Sequence, residues 1–147
     1  MVVKGTIFFH ENFVFKNGAS SEKLIILLNT PDENNPCLFV KTTSREKDKP
    51  SQPGCIERLS LFFIPPKTTF FEQPTWVELY EIYEIALSDV KKDPFRIVGE
   101  LDYKKTDEII NCLLLAEADD ITPYHKRLLK PPFEESLEKL REKFQKK

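Results

Sequence analysis

Short apolar runs closed by turn-forming residues set the pattern of this chain. Thr6-Ile7-Phe8-Phe9 and Phe13-Val14-Phe15 are separated by His10-Glu11-Asn12. Lys16-Asn17-Gly18 follows as a turn signal, since Asn-Gly tolerates positive φ. Leu24–Leu28 and Cys37–Val40 then flank a loop of Asn, Asp and Pro. Their β-branched and aromatic content predicts two adjacent strands. Ile56–Ile64, closed by Pro65-Pro66, predicts one further strand. Trp76–Ile85 alternates in polarity as a half-buried strand does, with a helix over 77–87 as the competing reading. Arg96–Leu101 predicts a short strand.

The period then changes. Ile109, Ile110, Leu113 and Leu114 fall at helical spacing, with Thr106 as the expected cap and Asp107 and Glu108 in the first turn. Asp119–Pro132 carries three prolines and reads as a linker. Phe133, Leu137, Leu140 and Phe144 make one apolar stripe on a charged final helix. Five or six short strands ahead of the helices predict a mainly β fold, a small barrel over residues 1–118 with a closing helix. Residues 119–147 are expected to form a linker and a separate, basic, amphipathic terminal helix.

Composition narrows the class. The chain has 147 residues, 40% of them hydrophobic and 31% charged, as expected of a soluble globular domain. No apolar run approaches the roughly 20 residues of a membrane helix. The first five residues lack the features of a signal peptide, so a cytoplasmic protein is expected. Three widely spaced cysteines, Cys37, Cys55 and Cys112, suggest reduced thiols rather than a disulfide framework or a zinc site. The net charge of −2 gives no global attraction to nucleic acid, but its distribution is uneven. Residues 72–120 hold 13 acidic against 5 basic side chains, net −8, and residues 121–147 hold 4 against 8, net +4.

Generic catalytic motifs are missing: there is no glycine-rich phosphate loop, no GxSxG and no HExxH. His10 and His125 do not by themselves make a metal cluster, and no cofactor is expected. One constellation remains. Lys23 stands at the entrance of one strand, and Thr42, Thr43 and Ser44 at the exit of the next. An ammonium beside hydroxyls suits a phosphate, the one offsetting negative charge and the others donating hydrogen bonds. The plainer reading is a solvated lysine and threonines placed for β-propensity. His10 is a candidate proton carrier. Arg45 and Lys47, interleaved with Glu46 and Asp48 in a polar loop, are candidate phosphate-backbone contacts.

The order of these pieces resembles the MazF/PemK family of toxins from bacterial toxin–antitoxin pairs. The likeness runs through Lys4-Gly5-Thr6-Ile7, through Glu22–Leu28, and through Lys41-Thr42-Thr43-Ser44. It continues through Val77–Ile82, Val98–Leu101 and Thr106–Leu115, covering roughly residues 4–116. The resemblance implies an SH3-like barrel, a homodimer, an antitoxin-like protein partner, and metal-independent cleavage of single-stranded RNA by 2′-hydroxyl attack. Lys23, Thr43, Ser44 and His10 would then be catalytic, with Thr42, Arg45 and Lys47 binding substrate. The family's usual Arg-Pro before the second strand is Lys23-Leu24 here, and lysine lacks the planar fork of arginine. A non-catalytic barrel that binds nucleic acid or a protein partner is therefore the alternative function.

Overall fold

A computed structural model describes residues 2–116 and 120–129. Its strands are β1 (Thr6–Val14), β2 (Ser20–Leu27), β3 (Cys37–Thr43), β4 (Gly54–Ile56), β5 (Leu61–Ile64), β6 (Thr75–Ile85) and β7 (Arg96–Glu100). The helices are α1 (Leu87–Val90), α2 (Tyr103–Ala116) and α3 (Pro123–Leu129). The mainly β class is as the pattern predicts. All seven strands form one antiparallel sheet in the order β4-β5-β6-β3-β2-β1-β7.

That sheet is open: β4 and β7 are its two edges and do not pair, so the closed barrel expected from the sequence is not formed by the described strands. The reason lies in what covers the sheet. Ile109, Ile110 and Leu113 of α2 pack with Ile26, Leu38, Val40, Val77 and Leu79, so a helix buries the face that a far barrel wall would bury. The opposite face gathers Phe8, Phe13, Ile25, Leu27, Phe39 and Tyr83 under Val90 of α1 and Phe95. Burial on both faces explains why Ile25, Ile26, Leu27 and Leu28 are continuously apolar and all 0% exposed. Each such side chain contributes on the order of 1.5–3 kcal/mol on burial.

Several local expectations change. His10-Glu11-Asn12 does not interrupt β1, because a bulge between His10 and Phe13 absorbs it. The single strand expected over Ile56–Ile64 is a hairpin. Glu57–Leu59 form a 3₁₀ turn, and Ser60 adopts left-handed φ of 52°, which folds β5 back on β4. The helical alternative for 77–87 fails, since β6 is continuous to Ile85. Helix α2 begins at Tyr103, ahead of the expected cap: Asp102 Oδ1 accepts the Lys105 N–H at 2.7 Å, while Thr106 is buried inside the helix. The expected linker contains α3, whose Leu129 joins the α2-side core. The expected terminal helix over 133–144 lies outside the described residues. Cys55 and Cys112, 57 residues apart, form a disulfide joining β4 to α2, contrary to the reduced-thiol expectation; Cys37 is free and buried. Gly5 is required where it stands: φ is +94°, and a Cβ would come 2.5 Å from the Leu101 carbonyl oxygen.

Candidate functional site

Antiparallel pairing makes His10 and Lys23 direct cross-strand partners, two steps along from the buried pair Phe8 and Ile25 on the same face. Lys23 is half-buried. Its Nζ donates to the Thr42 carbonyl at 3.2 Å and stands 5.7 Å from the Phe15 ring centroid. Desolvation lowers the pKa of this amine; Glu78 opposes the shift, and Lys41, Arg45 and Lys49 add to it. Lys23 thus sits amid cations from β3 and from the loop that follows it.

His10 is also partly engaged. Its Nδ1 accepts the Asn12 N–H at 3.1 Å, and its ring meets Phe95 edge-on at 4.6 Å. An accepting Nδ1 puts the proton of the neutral ring on Nε2, which makes that nitrogen a donor. Burial lowers the His10 pKa, with Glu11 acting the other way, so the ring favours its neutral form.

The hydroxyl cluster is divided by strand alternation. Thr42 is 4% exposed, and its hydroxyl donates to the Leu24 carbonyl at 2.7 Å, so it is spent inside the sheet. Thr43 is half-buried and accepts the Arg45 N–H at 3.2 Å; Ser44, Arg45 and Lys47 are exposed. Lys49 folds back so that its Nζ donates to the Arg45 carbonyl at 3.1 Å. The structure therefore makes Lys23 and His10 cross-strand neighbours, sets Arg45 and Lys49 within electrostatic reach of Lys23, and removes Thr42.

Beside this patch lies a polar cluster that the sequence reading missed. Lys41 and Glu78, each 7% exposed, are register partners of β3 and β6, and Lys41 Nζ lies 3.0 Å from the Glu78 carboxylate and 3.7 Å from that of Glu81. Lys41 Nζ donates to the Tyr80 hydroxyl at 3.3 Å, and that hydroxyl donates to Glu78. The Tyr83 hydroxyl donates to Glu81 at 2.6 Å. Burial first, and then the hydrogen bonds to Glu78 and Glu81, push both tyrosine hydroxyls well above their ordinary pKa. No buried side-chain nitrogen or oxygen among the described residues lacks a partner. The cluster sits at an irregularity: the step from Phe39 to Lys41 on β3 faces the step from Tyr83 to Glu78 on β6, so β6 carries extra residues there. The one signal in the sequence was charge within apolar strands, Lys41 after Phe39-Val40 and Glu78 after Trp76-Val77, but only the register joins the two.

Two further polar contacts are structural. Asp120 accepts the Ile82 N–H at 2.7 Å and pairs with Lys16 at 3.0 Å. Burial opposes its charge, but these partners hold its carboxyl below the ordinary range. His125 joins Glu84 through Nε2 and accepts the Thr122 N–H at Nδ1, 3.1 Å away, fastening α3 to β6. Among the described residues no group of His, Cys, Asp and Glu is arranged to hold a metal, and no helix is long and apolar enough to cross a membrane.

Fold and site together define a mainly β protein, an open seven-stranded antiparallel sheet with a cationic patch at the β1–β2–β3 end. No protein-family model matches the chain, and no curated protein matches it.

Proposed function

We propose that this chain is a divergent MazF/PemK-like protein, its sheet an opened form of the SH3-like barrel, that binds single-stranded RNA around Lys23 without cutting it. One observation carries the reading. The groups that chemistry would need are engaged by backbone, while the groups that hold phosphate gather. Thr42 gives its hydroxyl to Leu24, and His10 Nδ1 is taken by Asn12, leaving Nε2–H as a donor rather than a base. Arg45 and Lys49 meanwhile add positive charge around Lys23, and the His10 Nε2–H adds a neutral donor. A second copy of the chain and an antitoxin-like partner remain the protein partners that the resemblance suggests.

A second reading, cleavage, is favoured by the opposition of His10 and Lys23 on paired strands. In it a 2′-oxygen loses its proton to His10 once the Asn12 bond opens, and attacks the adjacent phosphorus. The P–O5′ bond breaks, and the 5′-oxygen leaves with a proton from solvent. Lys23 offsets the charge of the pentavalent state.

Incubating the purified protein with mixed-sequence single-stranded RNA in EDTA separates the two. Gel shift with intact RNA, weakened in Lys23→Ala, supports the binding reading. Fragments ending in 2′,3′-cyclic phosphate and 5′-hydroxyl would establish the second. Neither binding nor cleavage would sink both.

A further inference from the structure

Tyr80 is the least explained member of the Lys41 cluster. Its neighbours Glu78 and Lys41 are almost fully buried, yet Tyr80 is 40% exposed, a large aromatic at the surface in the midst of β6. The extra residues of β6 opposite Phe39–Lys41 carry it there, and such irregularities re-aim side chains beside binding sites. Its ring is held at two points. The hydroxyl is fixed between Glu78 and Lys41, and Lys41 Nζ stands 4.9 Å from the ring centroid. The Phe15 ring, in turn, has both Lys41 Nζ at 5.5 Å and Lys23 Nζ at 5.7 Å near its centroid, linking Tyr80 to the patch. A partly exposed ring fixed by its hydroxyl, one aromatic side chain removed from the Lys23 ammonium, suits sequence-tolerant stacking of a single strand.

We infer that Tyr80 stacks a nucleobase of the single strand whose phosphates lie at Lys23, and that the buried Lys41–Glu78 pair is there to hold the Tyr80 ring in place. The inference rests on the RNA-binding reading above. The base supplies its π-face, so the contact is insensitive to base identity; Lys23 supplies charge, so its contribution falls with salt. The two contributions are separable because only one depends on counterions.

The test uses the full chain and a fluorescein-labelled 2′-O-methyl RNA 12-mer of mixed sequence, which cannot be cut by 2′-hydroxyl attack. Affinity is measured by anisotropy at several salt concentrations for wild type, Lys23→Ala, Tyr80→Leu and Tyr80→Phe, with a thermal melt of each variant. Tyr80→Leu is expected to weaken binding about 5- to 150-fold with the slope of log affinity against log salt unchanged. Tyr80→Phe keeps the ring but loses its anchor to Lys41 and Glu78, so its affinity should fall between wild type and Tyr80→Leu. Lys23→Ala should flatten the salt slope by about one. A folded Tyr80→Leu that binds as wild type overturns the inference while leaving the RNA reading intact. A Tyr80→Phe that binds as tightly as wild type overturns the holding role given to the Lys41–Glu78 pair. Wild type that does not bind the 12-mer overturns the RNA reading and this inference with it.

Discussion

Replacing Lys41 with Met tests whether the cluster under the patch is held by charge. At 3.0 Å the Lys41–Glu78 attraction is about 5–6 kcal/mol with an effective dielectric of about 20. Both residues are 7% exposed, so desolvating two ions costs several kcal/mol and offsets most of that attraction. The pair is therefore close to neutral for stability, whereas either half alone is not. Lys41→Met leaves the Glu78 carboxylate buried without its cation, and Glu81 loses the same partner at 3.7 Å. The expected cost is about 3–5 kcal/mol, a drop in melting temperature of very roughly 6–20 °C for a chain of this size. The double variant Lys41→Met/Glu78→Leu removes both charges and should recover most of the loss.

Urea denaturation at pH 7 of wild type, both single variants and the double variant gives the coupling directly. Because each single variant strands a charge and the double variant strands neither, the coupling should be at least about 3 kcal/mol, little changed by 1 M NaCl because the pair is shielded from solvent ions. Two outcomes would refute the reasoning. A Lys41→Met variant within about 1 kcal/mol of wild type would mean that Glu78 reaches water or neutralises freely. A double variant destabilised by the sum of the singles would mean that the two side chains do not interact.

Three other predictions concern different parts of the fold. Reducing the Cys55–Cys112 bond with a dithiol should cost about 4 kcal/mol on the loop-entropy account for a 57-residue separation, and calorimetry showing equal melts with and without the dithiol would contradict the bridge. Gly5→Ala places a side chain at φ +94° against Leu101 and should cost at least about 1–2 kcal/mol in chemical denaturation, whereas a neutral result would mean that β1 starts elsewhere. The lowered His10 pKa means that the unfolded chain takes up the proton first: its contribution to stability is complete above about pH 6.5 and is lost as pH falls through the folded-state pKa. RNA affinity should move the opposite way over that window, tightening as His10 gains charge. His10→Gln should flatten both trends, and titrations of its melting temperature and RNA affinity that keep the wild-type slopes would show that another group titrates.

What could be read from the chain follows from the range of the forces involved. The strands Leu24–Leu28, Cys37–Val40 and Trp76–Ile85 are declared by local composition, and so is the apolar face of α2. The openness of the sheet is not local. It depends on α2 covering the face beside β4, β5 and β6, and no strand's pattern records what lies above it. The disulfide was hidden for the same reason, since only the reversal at Ser60 brings Cys55 to the edge beside Cys112. A disulfide is uncommon in a reducing compartment, so it also sits uneasily with the cytoplasmic expectation. At the site, the pairing of His10 with Lys23 follows from the β1–β2 register. The loss of Thr42 follows from alternation: one residue's shift in phase sends a hydroxyl to the opposite face. The Lys41–Glu78 pair needs both the β3–β6 register and the irregularity in β6, neither of which leaves a mark in composition.

An acidic block of net −8 over residues 72–120 would by itself repel RNA, and the fold shows why charge counted along a sequence misleads. Glu78 and Glu81 meet Lys41 from β3, Asp120 meets Lys16, and Asp107 meets Lys4 from the N-terminal side of β1. Glu84 meets His125, and Glu108 meets Lys105 on the same helix. Three cations from outside the block, Lys41, Lys16 and Lys4, thus stand against part of its net −8. Its acids on α2 belong to the helix covering the face away from His10 and Lys23. With a screening length of about 8 Å at physiological salt, a phosphate at Lys23 feels mainly its own neighbourhood, not the chain's total of −2. There Lys23 feels Lys41, Arg45 and Lys49 against Glu78, a buried carboxylate already paired with Lys41. Arg45→Glu should therefore weaken RNA binding and flatten its salt slope, while an Asp107→Lys change on α2 should leave both nearly unchanged. Equal effects from the two substitutions in the same anisotropy titration would show that net charge, and not this patch, governs the binding.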